Sequence, residues 1–261
     1  EAARQTMTPD PGRLVPAAIR FRIRQPEGDL SEIVTVGAHL YQRGYILISP
    51  REVWRSESDP STVELLCVFW DGQAAAQGLQ DPSLRAIFAE GGLLHNRLEA
   101  EPVVVPREDP ILLMDDVRSC ACATRPFLVL RAGTFLPYDG GYYCPRCEVP
   151  VAPYRIPREA FAIDWTALSA DVTKIWLASG PLEAWAFQEL SLSTSELNRA
   201  ADPLVQKASQ ALKMPVYREM FTESGYAAHC LACGRPGADP EMEGIRWKVC
   251  AGCRTAWLQA E

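Results

Sequence analysis

Alternating apolar and polar positions predict a strand near the start of the chain. Residues 18–24 read Ala-Ile-Arg-Phe-Arg-Ile-Arg, a period of two that is typical of a strand with one buried face. Apolar residues then recur at helical spacing over 30–41 and are followed by Gly44, which predicts a helix closed by a left-handed glycine. Residues 1–16 contain prolines and show no such periodicity, so we expect a flexible tail there.

The next elements complete a compact α+β pattern. Two β-rich runs, 45–54 and 63–70, flank a Ser/Asp/Pro turn and predict a hairpin. A second helix is expected over 82–89, and a last strand over 98–105. The resulting order, β-α-β-β-α-β, is that of the split βαβ arrangement in ferredoxin-like domains. The sequence therefore predicts a ferredoxin-like α+β domain over 17–110.

The second half of the chain has a helical middle. Apolar and aromatic residues fall at helix-like spacing over 159–177 and 181–190, and Ser193 or Ser195 can cap a further helix. These segments form a predicted helical insert over 158–213. Its aromatic residues could offer a base-stacking surface, but tryptophans at this spacing are more often buried, and we favour a core role.

Eight of the nine cysteines form four close pairs, two of them within the last 32 residues. Cys230-x-x-Cys233 and Cys250-x-x-Cys253 are separated by 16 residues, which is the spacing of a four-cysteine zinc site. The residues between them alternate as a strand that enters the second pair. We predict a zinc ribbon over 226–261. A redox dithiol or an iron–sulfur cluster is less favoured, because the pairs come as two matched halves.

The other two pairs predict a second four-cysteine site over 119–148. Cys120-Ala-Cys122 lies 21 residues before Cys144-Pro-Arg-Cys147. Two thiolates that are one residue apart can share an ion when the strand twists. Because four protein ligands leave no open position for water, both zinc ions are expected to be structural.

The zinc-binding domain is assigned to 111–261, with one ion in each quartet and two per chain. Exchange of pairs between the quartets in three dimensions stays open. His229 precedes Cys230 and could replace a ligand, but with four cysteines at hand we expect it to hydrogen-bond nearby.

No catalytic constellation is visible, so we predict that the protein is not an enzyme. The chain has no phosphate-binding loop, zinc-protease, nucleophile-elbow or dinucleotide-binding motif, and its three histidines lie in different segments. Asp115 and Asp116 are an adjacent acidic pair, which is usually solvated. Cys67 lies alone in a predicted strand and is expected to be a buried small hydrophobe, with a reactive thiol as the alternative.

The cysteine pairs resemble those of an uncharacterised bacterial family when they are taken with three further features. These are the segment Val151-Ala-Pro-Tyr-Arg-Ile-Pro157, Trp165 and Pro215-Val-Tyr217. Members of that family are described as zinc-ribbon-containing, with nucleic-acid binding as a suggested role. The resemblance covers about residues 119–258 and implies a zinc-binding protein with no established activity. The suggested role is itself an analogy with other ribbons, which is weak support for function.

Composition places the chain among globular proteins. Of its 261 residues, 48% are hydrophobic and 23% are charged, which excludes disordered, collagen-like and coiled-coil classes. Its longest apolar runs fall far short of the roughly 20 residues of a membrane span. Paired cysteines without a secretory signal favour metal binding in a reducing cytoplasm over a disulfide framework.

Charge decides between the two kinds of partner. The net charge is −7, and a zinc ion held by four thiolates adds negative charge, so the chain lacks the basic bias of nucleic-acid binders. We therefore favour a protein partner, in the role of an adaptor, an assembly subunit or an immunity-type inhibitor. Nucleic acid is the alternative, through a patch of basic and aromatic residues in the ribbon. That patch comprises Arg235, Arg246, Trp247, Lys248, Arg254 and Trp257.

Overall fold

A computed structural model describes residues 13–14, 17–24, 31–47, 53–55, 62–90, 99–102, 119–133, 140–222, 227–239 and 245–258. The described strands are β1 (Arg13–Leu14), β2 (Ala17–Arg24), β3 (Val53–Arg55), β4 (Thr62–Phe69), β5 (Glu99–Pro102), β6 (Ser119–Cys120), β7 (Leu128–Arg131), β8 (Gly141–Tyr143), β9 (Val216–Glu219), β10 (Trp247–Cys250) and β11 (Thr255–Leu258). The α-helices are α1 (Ser31–Gln42), α2 (Gly72–Gln80), α3 (Pro82–Glu90), α4 (Ile163–Leu177), α5 (Glu183–Ser191) and α6 (Glu196–Leu212), with 3₁₀ turns at Pro153–Arg155 and Arg158–Ala160.

The first sheet has four antiparallel strands in the order β3-β4-β2-β5. The predicted strand over 18–24 is confirmed as β2, and its alternation sorts the two faces of the sheet. Ile19 and Phe21 are buried in the core beneath the helices. Arg22 pairs with Glu64 of β4 at 3.0 Å on the opposite face. The predicted hairpin is likewise confirmed by the pairing of β3 with β4.

Helix α1 ends where the sequence predicts, because Gly44 adopts a left-handed backbone with φ of +72°. Helix α3 matches the helix expected over 82–89. Helix α2 is an element that the apolar pattern does not predict, since its segment consists largely of alanine, glutamine and glycine. Asp71 is its N-cap residue, and the Asp71 side chain accepts a hydrogen bond from the Ala74 backbone amide at 2.8 Å.

The second sheet has five strands in the order β10-β11-β9-β7-β8. Its outer pairs, β7 with β8 and β10 with β11, are antiparallel hairpins. The central strand β9 runs parallel to both β7 and β11. The two cysteine-bearing regions were predicted as local units, and each quartet is local, but their strands share one sheet. Parallel pairing joins segments that are distant in sequence, so no local sequence pattern predicts it.

Side chains also bridge the outer strands of this sheet. The Arg131 guanidinium lies 4.7 Å from the ring centroid of Tyr143 in β8 and 6.0 Å from that of Trp247 in β10. Arg246, which precedes β10, pairs with Glu148, which follows β8, at 3.0 Å. The cation-to-ring contacts and this ion pair hold the two ends of the sheet near each other.

Helices α4, α5 and α6 lie within residues 158–213, the segment that the sequence predicts as a helical insert. Ser195 caps α6 by accepting a hydrogen bond from the Asn198 amide at 3.1 Å. Trp165 is buried, and its indole donates to the Leu197 carbonyl at 2.9 Å, as a core role requires. Trp185 is 46% exposed, so the core interpretation is wrong for that residue.

The start of the described chain departs from the predicted tail. Residues 13–14 form β1, which pairs antiparallel with β6, so Arg13 lies opposite Cys120. Residues 1–12 and 15–16 of the predicted tail lie outside the described residues, as does the predicted domain boundary near residue 110. Among the helices described here, none has both the length and the apolar character needed to cross a membrane.

Candidate metal centres

The first metal centre brings together the four cysteines predicted for it. The Sγ atoms of Cys120, Cys122, Cys144 and Cys147 all lie within 4.8 Å of one another. Cys120 belongs to β6, and Cys122 follows it. Cys144 and Cys147 form a knuckle directly after β8. The C-x-C pair and the C-x-x-C pair therefore converge on one point, as the spacing suggested.

The second metal centre is built in the same way from the C-terminal pairs. The Sγ atoms of Cys230, Cys233, Cys250 and Cys253 lie within 4.8 Å of one another. Cys250 ends β10, and Cys253 lies in the turn that leads into β11. The structure thus keeps the two quartets separate, without exchange of pairs between them.

Two of the knuckles share the same backbone hydrogen bonds. In each, the amide of the first cysteine donates to the carbonyl five residues later, and the amide four residues later donates back to the first cysteine. These bonds are Cys144 to Val149 at 3.1 Å, Glu148 to Cys144 at 2.9 Å, Cys230 to Arg235 at 2.9 Å and Gly234 to Cys230 at 2.7 Å. The first and second centres therefore use one type of turn to present two thiols side by side.

A left-handed residue follows the second cysteine of three of the four pairs. Glu148, Gly234 and Arg254 have φ values of +55°, +70° and +53°. Only Gly234 is free of the steric cost that side chains carry in this region. The conformation recurs despite that cost, because it turns the chain back and leaves both sulfurs facing the same point.

The four thiols of the first centre can all lose their protons only if a cation lies among them. Burial, with the charges of Cys144 and Cys120, raises the pKa of the Cys122 thiol to about 11. Hydrogen bonds from the Cys144 and Cys147 thiols lower the pKa of Cys120, and the Arg125 Nε donates to its Sγ at 3.3 Å. Four converging thiol groups of this kind fit a soft divalent metal ion, which stabilises the thiolate form of every ligand.

The second centre also has donors directed at its sulfurs. Burial opposes ionisation of Cys230, but the Thr255 hydroxyl at 3.4 Å and the amides of Ala232 and Cys233 outweigh it and lower the pKa of that thiol to about 7. Such donors orient metal ligands and stabilise their charge.

Each centre has an arginine that the sequence analysis missed. Arg125 contacts Cys120 in the first centre. In the second, buried Arg218 interacts with the charges of Cys230 and Cys253 and lies 3.7 Å from Asp202. Neither arginine is next to a cysteine in the sequence, and Arg218 approaches its cluster only because β9 pairs with β11.

The structure does not assemble the predicted nucleic-acid patch as an open surface. Trp247 and Trp257 are 3% and 1% exposed, so neither ring can stack on a base. Arg246 pairs with Glu148, and Lys248 pairs with Asp239. The side chains of the two remaining members, Arg235 and Arg254, are exposed.

The first centre is joined to the N-terminal sheet through a buried carboxylate. Asp71 accepts hydrogen bonds from Ser119 at 3.0 Å, from the Tyr154 hydroxyl at 3.0 Å and from the Arg155 Nη2 at 3.2 Å. Arg155 also donates through Nη1 to the Cys120 carbonyl at 2.7 Å. The segment 151–157, one of the features of the family resemblance, therefore connects Cys120, a candidate metal ligand, to the first half of the molecule.

Of the remaining candidate residues, those that the structure describes are not among the eight clustered cysteines. Cys67 is buried, as predicted, and burial raises the pKa of its thiol far above the usual range. His229 is exposed beside Cys230. Asp115, Asp116 and His95 lie outside the described residues.

Comparison with known proteins adds little to this picture. No family model and no curated protein matches the chain. Two crystal structures of SnoaB, a cofactor-independent oxygenase from Streptomyces nogalater, are similar to part of it, and one of them is of a mutant. Both are 14% identical to this chain, cover 36% and 37% of it and 97% and 98% of SnoaB, and have TM-scores of 0.27 and 0.28.

Proposed function

We propose that this chain is a non-enzymatic zinc protein with two structural zinc ions. The observation that carries this proposal is the presence of two separate four-cysteine clusters, each with its sulfurs within 4.8 Å of one another. Zinc favours four thiolates in tetrahedral geometry, and such a closed set leaves no position for a substrate. The C-terminal quartet, with its knuckle and its β10–β11 hairpin, is proposed as a zinc ribbon over 226–261, and this agrees with the family that the cysteine pairs resemble.

The N-terminal part is proposed as a ferredoxin-like domain. Support comes from the described elements, whose order is strand, helix, two strands, helices and strand. The strand order β3-β4-β2-β5 with antiparallel neighbours agrees with a split βαβ arrangement. Helix α2 is an addition to that pattern.

The proposed role is that of a protein-interaction module, such as an adaptor, an assembly subunit or an immunity-type inhibitor. Large apolar side chains are exposed on and near α4 and α5 and on the first ribbon knuckle, where a partner could cover them. They are Leu168, Leu177, Leu182, Trp185, Leu192 and Leu231. Two buried tryptophans and two ion-paired cations in the predicted patch disfavour nucleic acid, as does the net charge of −7. A reducing compartment, the cytoplasm, is proposed because eight cysteines serve as ligands.

Affinity capture from the native cell, with and without nuclease, tests this role. We expect a defined protein to be captured equally in both samples, and the double variant Leu182→Ser/Trp185→Ala to lose it while keeping its metal. The matched control Lys174→Ser/Asp171→Ser alters the exposed face of α4 without removing apolar surface and should retain the partner. A partner lost on nuclease treatment, or tight salt-sensitive binding of an unselected oligonucleotide, would favour nucleic acid instead.

A further inference from the structure

The two centres differ in how far the protein encloses their sulfurs. In the first centre Cys120 and Cys144 are fully buried, and Cys122 and Cys147 are partly buried. Strand β1 pairs along Cys120, the Arg125 side chain covers its sulfur, and Arg155 holds its carbonyl. The protein therefore shields the sulfurs of this centre from reagents in solution on several sides.

The second centre is open on one side. Cys233 is exposed and Cys253 is only partly buried. The neighbouring residues 231–236 and 251–252 are exposed as well. An open groove of about 670 Å³ borders the first knuckle and is lined by Phe187, Phe221, His229 and Cys230, among others. Small solutes can reach this centre directly.

The exposed sulfur has a neighbour on the opposite knuckle. The Cys233 Sγ lies 3.8 Å from the Cys250 Sγ. A disulfide has a sulfur–sulfur bond of about 2.05 Å, so a shift of roughly 2 Å would join them. Cys250 is buried and can resolve an oxidised Cys233 without meeting the reagent itself.

We infer that the second centre is a peroxide-sensitive switch, in which Cys233 and Cys250 form a disulfide and release one zinc ion while the first centre keeps its own. The Cys233 thiolate attacks hydrogen peroxide, the O–O bond breaks, and a sulfenic acid and hydroxide form. The Cys250 thiolate then displaces hydroxide from that sulfur. Two thiolates lose two electrons, peroxide gains them, and the ion is left with two cysteine ligands.

Release of this ion would loosen one wall of the groove. The knuckle is attached to the five-stranded sheet by the Ala227 amide to the Leu258 carbonyl at 3.1 Å and by the bridge of Ala238 to Val249. These contacts flank the knuckle and do not replace the ion at its centre. The inference rests on the proposed zinc content and adds regulation to the same protein, since the groove adjoins α5.

The test is peroxide titration of the full chain in a Cys67→Ala background, which removes the lone thiol. Zinc release is followed with a colorimetric chelator, and disulfides are mapped by mass spectrometry. We expect one equivalent of zinc to be released at least about tenfold faster than the second equivalent. A Cys233–Cys250 disulfide should form together with the fast release. Reducing agent with added zinc should restore two equivalents.

Several outcomes would overturn the inference. These are release of both ions at similar rates, earlier oxidation of the first centre, or a first disulfide that lacks Cys233. A Cys233→Ser variant lacks the sulfur that attacks peroxide, so it should form no rapid disulfide at Cys250 whatever its zinc content. Rapid formation of a disulfide between Cys250 and another cysteine in that variant would count equally against the inference. The main test uses the Cys67→Ala chain, which keeps all eight paired cysteines, so it does not depend on folding of the Cys233→Ser variant. Zinc content before peroxide is added tests the proposed function separately.

Discussion

The carboxylate of Asp71 and the guanidinium of Arg155 form an ion pair of 3.2 Å across 84 residues of sequence. Asp71 also caps helix α2, and Arg155 also donates to the carbonyl of Cys120, a candidate metal ligand. Because the Asp71 side chain is only 3% exposed, its charge depends on these donors. This pair joins the N-terminal sheet to the first metal centre.

Replacing Asp71 should therefore destabilise the whole molecule. We expect Asp71→Asn to lower the free energy of unfolding by about 1.5–3 kcal/mol, since a buried acceptor for a charged donor is lost. The matched control is Asp171→Asn, which breaks an exposed pair with Lys174 and should change stability by less than about 0.5 kcal/mol. Urea unfolding measures both, and equal effects would contradict the assigned role.

A backbone contact between the two halves gives a second prediction. A Cβ on Gly44 would lie 2.6 Å from the Pro153 Cβ, and the residue has φ of +72°. Gly44→Ala should cost about 1–3 kcal/mol of stability because both strain and overlap result. Gly180→Ala is the control, since nothing lies within 4 Å of its added carbon. Thermal unfolding that ranks the two variants equally would refute this close approach.

Arg125 should stabilise the metal in the first centre. Arg125→Gln removes a cation 3.3 Å from the Cys120 sulfur, so we expect affinity at that centre to fall about tenfold. Arg146→Gln is a suitable comparison, because that arginine lies within the same centre's knuckle but is exposed. Competition with a chelator should separate the variants, and an unchanged affinity in Arg125→Gln would exclude a role for its charge.

Stability should also depend on pH through His39. Burial lowers the pKa of His39 below 6.5, and the Arg43 and Arg158 guanidiniums add to this while Asp81 opposes it. His39 therefore takes up a proton at a higher pH in the unfolded chain than in the folded one. The contribution of neutral His39 to the free energy of unfolding is therefore fully present above about pH 6.5. It is lost as the pH falls towards the pKa of His39 in the folded chain.

The variant His39→Gln should flatten that dependence. Unfolding free energies between about pH 5 and 7.5 would show a smaller slope than in the wild type. His229→Gln, at an exposed histidine, is the comparison and should keep the wild-type slope. If His39→Gln kept it too, another group would be responsible.

Local patterns predicted the elements that depend on local forces. The alternation in β2, the glycine after α1 and the serine cap of α6 each reflect neighbours within a few residues. The cysteine spacing predicted both quartets for the same reason, since each knuckle is a single turn. Helix α2 escaped prediction because its small and polar residues carry no apolar period, although Asp71 offers a local N-cap.

Other features that were missed depend on pairing between distant segments. Strand β9 joins the strands of the two cysteine-bearing regions through parallel pairing, which has no turn or spacing signal. The same pairing brings Arg218 to the second centre. Trp185 and Leu182 have the spacing of core residues but are exposed, because periodicity marks an apolar residue without showing what packs against it.

The central claim of two structural zinc ions is tested most directly by metal analysis of protein purified without added metal. We predict close to two equivalents of zinc per chain, and one equivalent in Cys250→Ser, with increased exposure of Trp247 and Trp257. Zinc binding supplies roughly 10–16 kcal/mol of apparent folding energy in small modules, so this variant should also lose thermal stability. One equivalent in the wild type, an iron–sulfur absorption spectrum, or full metal retention in Cys250→Ser would contradict the claim.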